Sequence, residues 1–89
     1  MGHRIEPQIP LGEAVKMVRE EKALTKTAVA ARAGVSARWL RDVEAGKCNP
    51  TWANLRRVTV GLQIDLTELA AKVELVEKKS LGLIPNLGP

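Results

Sequence analysis

The stretch TKTAVAARAGVSARWLRDVEAG, Thr25 to Gly46, decides the fold. It reads as two short helices joined by a tight turn at Gly34. Val29, Ala30 and Ala33 give the first helix a small, apolar face that lets a second helix cross close by. Gly34 takes positive φ at little cost, as a sharp turn requires. Val35 fills the gap behind the turn and Ser36 is placed to cap the next helix. Leu40 and Val43 then continue the buried face at helical spacing.

The pattern extends on both sides. Upstream, Leu11, Ala14, Val15 and Val18 share one face of a helix predicted over Leu11–Lys22. Thr25 caps the second helix, Lys26–Ala33. Ser36 caps the third, Ala37–Ala45, which Gly46 ends. After the loop Lys47–Pro50, Thr51 caps a fourth helix predicted to turn Trp52, Leu55, Val58 and Leu62 inward. Asp65 followed by Glu68 forms a capping-box-like start for a fifth. Leu66, Leu69, Ala70, Val73 and Val76 line one face of it to about Lys78. No strand pattern of comparable strength competes. The expected fold class is all-α: a compact five-helix domain over residues 11–78, with the helix pair at helices two and three. Residues 1–10, with Pro7 and Pro10, are expected to form an N-terminal arm, and residues 79–89, rich in Gly and Pro, a flexible C-terminal tail.

Composition narrows the function. Eighty-nine residues suit one small domain with an aliphatic core, since there is no Phe or Tyr and only Trp39 and Trp52. The single cysteine, Cys48, cannot form an intrachain disulfide, which fits a reducing cytoplasm. No apolar run approaches the roughly 20 residues of a membrane-spanning helix, and the first ten residues do not resemble a secretory signal. A soluble cytoplasmic protein with no membrane partner is expected. His3 and Cys48 together cannot supply the ligands of a zinc site, and no Ser–His–Asp set or glycine-rich phosphate loop is present. The expectation is therefore no metal, no cofactor and no catalytic residue. Net charge is +4, but from Lys26 to Arg57 seven basic residues face two acidic ones, a local +5 that leaves −1 for the remainder. A basic face of that kind attracts a phosphate backbone and makes affinity fall with salt.

Two helices crossing at a tight turn have the geometry of a helix-turn-helix, whose second helix enters the major groove of DNA. The segment resembles that of the phage-repressor (Cro/repressor-like, xenobiotic-response-element type) family. The resemblance covers about two-thirds of the chain, from Leu11 to Leu69. LGEAVKMVREEKAL looks like the family's first helix, with Arg19 six residues before Thr25. VEAGKCNPTWANL matches its pattern of Glu, a following Gly, a short loop, a Pro and a capped helix. GLQIDLTEL resembles its junction between helices four and five. Two positions depart from the pattern: Lys26 stands where the family often has Gln, and Thr59 where a small apolar residue is usual.

A recognition helix presents its N-terminal turn and one outward stripe to base edges. Those positions are Ser36, Ala37, Arg38, Arg41 and Asp42, and the resemblance points to the same residues. Arg38 is the foremost candidate to bind guanine O6 and N7. Arg41 can read a base or hold phosphate. Asp42 can accept from a cytosine amino group, but orienting Arg38 or Arg41 through a salt bridge is the favoured reading. Thr25, Lys26, Lys47, Asn49 and Thr51 are the candidate phosphate contacts. Arg56 and Arg57 divide evenly between phosphate contacts and ordinary solvated residues. The resemblance further implies a structural ion pair between Arg19 and Glu44. Trp39 is expected to pack rather than meet DNA.

These expectations define a sequence-specific DNA-binding regulator, foremost a repressor acting as a homodimer on a palindromic or pseudo-palindromic operator. The seam would come from Leu66, Leu69 and Val73, or from Leu81, Leu83 and Ile84. The competing reading is an antitoxin or other interaction module whose fifth helix or tail binds a toxin-like protein partner.

Overall fold

The computed structural model describes residues 8–80, which form five helices and, among the described residues, no strand. They are α1 (Ile9–Glu21), α2 (Lys26–Ala33), α3 (Ala37–Glu44), α4 (Trp52–Leu62) and α5 (Leu66–Ser80). None is long and apolar enough to cross a membrane. The arm through residue 7, with His3, lies outside the described residues, as does the 81–89 stretch with Leu81, Leu83 and Ile84.

Helix starts follow side-chain capping. Thr25, Ser36 and Thr51 each accept, through the hydroxyl oxygen, the N–H three residues on, at 3.0–3.1 Å. Asp65 Oδ1 does the same for Glu68 N–H at 2.8 Å. Helix α1 differs: it begins at Ile9, two residues before its predicted start, and no side chain caps it. Pro10 occupies its first turn, where a missing N–H forfeits no helical hydrogen bond and the fixed φ suits the helix. Ile9 and Pro10 therefore belong to α1 rather than to an arm, and Lys79 and Ser80 continue α5.

Helices α1 to α4 end in one repeated way. A residue of positive φ follows each: Ala23 (+56°), Gly34 (+75°), Gly46 (+75°) and Gln63 (+60°). The next N–H then reaches back five residues: Leu24 to Arg19 O, Val35 to Ala30 O, Lys47 to Asp42 O and Ile64 to Thr59 O, all 2.9–3.1 Å. These bonds satisfy carbonyls that the helix leaves open. Leu24, Val35 and Ile64, one residue past the reversal, pack against the core. Three of the four reversals thus aim an apolar side chain inward while they turn the chain; the fourth, at Gly46, is followed by exposed Lys47.

The core comprises Val15, Leu40, Val29, Val43, Val58, Leu62 and Leu69, all fully buried. Helix α1 packs on α3 and α5, and α2 packs on α3 and α4. The α1–α3 approach requires Gly12: a Cβ there would stand 2.5 Å from Val43 O and 2.6 Å from Glu44 O. Buried Thr59 replaces an apolar residue without an orphaned hydroxyl, because its Oγ1–H donates to Arg56 O at 2.6 Å.

Two inward assignments need correcting. Trp52 is 65% exposed rather than buried. Helix α4 meets α2 at Gly61, beside Val29 and Ala33, with Arg57 near Gly34 at the end of α2. Trp52 lies more than a turn beyond that contact, so the apolar stripe outruns its partner. On α5 only Leu69 and Val76 are buried; Leu66 and Val73 are half-buried and Ala70 is exposed.

Urea unfolding tests these backbone constraints. Gly12→Ala should lower stability by about 1–3 kcal/mol, because carbonyls rather than a flexible side chain must move. Ala23→Gly should raise it by up to about 1 kcal/mol by relieving a left-handed L-residue.

Candidate nucleic-acid interface

Helix α3 is divided by its own periodicity. Leu40 and Val43 enter the core, while Ser36, Arg38 and Arg41 are exposed on the outer side. The Ser36 hydroxyl is engaged by Trp39 N–H. Ala37 and Trp39 are half-buried against the core cluster, so Trp39 packs, and much of Ala37 faces the protein. Neither Arg38 nor Arg41 has a hydrogen bond or ion pair among the described residues.

The expected salt bridge from Asp42 to one of these arginines does not form. Arg41 adjoins Asp42 in sequence, and neighbouring helical residues point apart. Arg38 lies four residues earlier, the weaker orientation for a helical pair of opposite charges. Asp42 is half-buried, and its charge falls instead on Cys48. Burial, reinforced by Asp42, pushes the Cys48 thiol above its ordinary value, keeping it protonated near neutrality.

Helix α3 is held from behind by α1. Arg19 Nε donates to Glu44 Oε2 at 2.6 Å and Nη2 to Oε1 at 3.1 Å, while Nη1 donates to Leu24 O at 2.9 Å. The two side chains are only 11% and 4% exposed. Hydrogen bonding to Glu44 outweighs burial and holds the Arg19 guanidinium above its usual pKa. A bidentate pair fixes direction as well as distance, orienting the end of α3 relative to α1.

The candidate phosphate contacts lie around this helix. Thr25 and Lys26 begin α2, with Lys26 half-buried; Lys47, Asn49 and Thr51 are exposed along the loop into α4. The hydroxyls of Thr25 and Thr51 already accept their capping N–H groups. Not all of the local +5 faces outward. Arg32 Nη1 donates to Gly61 O at 3.2 Å, bracing α2 against α4. Arg56 stacks over Trp52, 5.9 Å from the ring centroid, and so covers part of that exposed indole.

One further basic residue, outside the segment of concentrated charge, stands beside these groups. Lys16 of α1 lines, with Lys26, Arg41, Glu44 and Ala45, a recess of about 190 Å³. Its signal in the sequence is its spacing three residues before Arg19, since both then share a helical face.

A family model described as a helix-turn-helix domain matches residues 10–71. The chain is 28% identical over 69 residues to the immunity repressor protein of Bacillus phage phi105, covering 78% of this chain and 48% of that one. It thus spans about half the length of that relative. The ImmF control region 10 kDa protein of the same phage is 33% identical over 69 residues, covering 76% of this chain and 77% of that one. Among solved structures, the restriction-modification controller protein C.AhdI from Aeromonas hydrophila shares the fold. The TM-score is 0.67 at 24% identity, covering 70% of this chain and 94% of that one.

The ion pair behind α3 is open to a double-mutant cycle in urea. Arg19→Met or Glu44→Leu alone should each cost about 3–5 kcal/mol by stranding a buried charge. The double variant should recover a large part of that loss.

Proposed function

We propose that this chain, which belongs to the helix-turn-helix domain family of DNA-binding regulators, is a sequence-specific repressor that binds a pseudo-palindromic operator as a homodimer. The observation that carries the reading is the division of α3. Its apolar side is consumed by the core, while Arg38 and Arg41 extend outward without a partner among the described residues. A short helix so presented is suited to the major groove. In this reading Arg38 makes the bidentate contact to guanine, Ser36 and Asp42 complete the base-facing turn, and Ala37 permits close approach. Lys26 and Lys47 bind phosphate as cations. Thr25, Asn49 and Thr51 do so through polar or backbone groups at their helix starts and loop. The chemistry is binding, and no catalytic step is assigned to the site. The cytoplasm is the proposed compartment, where duplex DNA is present and a lone cysteine stays reduced.

Dimerisation is supported by a groove of about 410 Å³ that includes Leu11, Leu55, Leu66, Leu69 and Val73. Half-buried Leu66 and Val73, with exposed Ala70, leave α5 an apolar strip that the monomer core does not cover. A second copy would bury it and set two α3 helices about one DNA turn, roughly 34 Å, apart.

Selection from random duplex DNA tests the proposal directly and should return two related half-sites. Arg38→Ala should then lose about 1–3 kcal/mol of discrimination at one base pair per half-site. Undiminished selectivity would remove Arg38 from the reading role. Sedimentation should find a dimer on the selected duplex; a monomer both free and bound would refute that part of the proposal.

A further inference from the structure

Three cations from three different helices converge beside the Arg19–Glu44 pair. Lys16 of α1, Lys26 of α2 and Arg41 of α3 line the same recess of about 190 Å³, together with Glu44 and Ala45. None of the three cations has a hydrogen bond or ion pair among the described residues. The one acid in the lining, Glu44, is already held by both Nε and Nη2 of Arg19. Its charge is therefore neutralised at the back of the recess, and the open side carries an excess of three positive charges. Gathering like charges is unfavourable unless an anion offsets them. Other cations are engaged, Lys72 with Glu21, Arg32 on a carbonyl and Arg56 on an indole. Arg38 also stands unpaired among the described residues, on the outer side of α3, but in this recess three unpaired cations share one lining.

We infer that this recess is the seat of a single backbone phosphate of the bound duplex, with Lys16 as a DNA contact and Arg41 as a phosphate ligand rather than a base reader. The inference rests on the DNA-binding reading above and deepens it. Lys26 adds its charge at the first turn of α2, where unbonded N–H groups also face an incoming anion. The arrangement gives α3 a fixed depth in the groove. A phosphate held jointly by α1, α2 and α3 sets the register of the recognition helix, and Arg38 alone then carries discrimination from the long side chains of its outer stripe. Phosphate contacts position and base contacts specify.

The test uses the full chain, the duplex recovered by selection and a random duplex of equal length, titrated with salt. Lys16→Gln and Arg41→Gln should each weaken binding to both duplexes by the same factor. Each should also reduce the slope of log Kd against log salt, and the double variant should reduce it by at most about 0.9, one phosphate's share. Lys78→Gln removes the same charge from exposed α5 and should keep the parent slope. Replacing the contacted phosphate by an uncharged methylphosphonate should weaken the parent by a larger factor than it weakens Lys16→Gln, which has already lost one of the three cations on that phosphate; equal weakening of the two overturns the inference. The inference is overturned if Lys16→Gln keeps the parent slope, or if Lys78→Gln lowers it equally. It is also overturned if Arg41→Gln loses affinity for the selected duplex alone, which would make Arg41 a base reader. A parent chain that binds neither duplex would instead refute the regulator reading itself.

Discussion

The bidentate contact between Arg19 and Glu44 is the constraint on which the interface depends. It joins α1 to the last turn of α3 with both side chains almost wholly shielded from water. Packing alone holds α3 less firmly, because its fully buried residues are Leu40 and Val43, with Ala37 and Trp39 half-buried beside them. A charged fork admits much less latitude than two aliphatic side chains do. Gly12 lets the α1 backbone come against the carbonyls of Val43 and Glu44, beside the site of the ion pair. Close approach and charge pairing thus act on one end of one helix. The third guanidinium donor, to Leu24 O, extends the same bracket to the segment leading into α2.

The repeated helix ending has a structural consequence beyond turning the chain. With short helices and few aromatic side chains, the core depends on residues outside the helices, and Leu24, Val35 and Ile64 supply them. A left-handed residue followed by a hydrophobic one closes the helix and contributes to the core in one step. Gly34 does this without steric cost, and Gly46 closes α3 in the same backbone though exposed Lys47 follows it, whereas Ala23 and Gln63 adopt that backbone as L-residues. That distinction explains the uneven legibility of the ends. Glycine announces a reversal in sequence; alanine and glutamine do not, so their left-handed conformations emerge only when the next side chain is seen in the core.

Charge on this molecule is sorted by use. Arg19, Arg32 and Arg56 are engaged by a carboxylate, a backbone carbonyl and an indole respectively. Arg38, Arg41, Lys16 and Lys26 are not engaged among the described residues. A tally along the chain treats these groups alike, and it overlooked Lys16 because α1 is not conspicuously basic. Asp42 illustrates the converse error. Its place beside Arg41 and four residues after Arg38 suggested a salt bridge, but adjacent helical side chains point apart and a cation four residues before an acid is the weaker orientation.

By itself the sequence determined five helices, most of their caps, the reversal at Gly34 and the family, because local capping chemistry and apolar spacing act over a few residues. The resemblance also named Arg19 and Glu44 as partners, although nothing local to either residue implies a contact across 25 positions. Tertiary structure alone decided that Trp52 faces outward, that Ala70 is not core, and that Gly12 is a contact point. Each depends on where another helix ends or crosses, which no periodicity within a single helix encodes. It also decided that Lys16, Lys26 and Arg41 share one recess, since only the packing of α1, α2 and α3 brings such distant residues together.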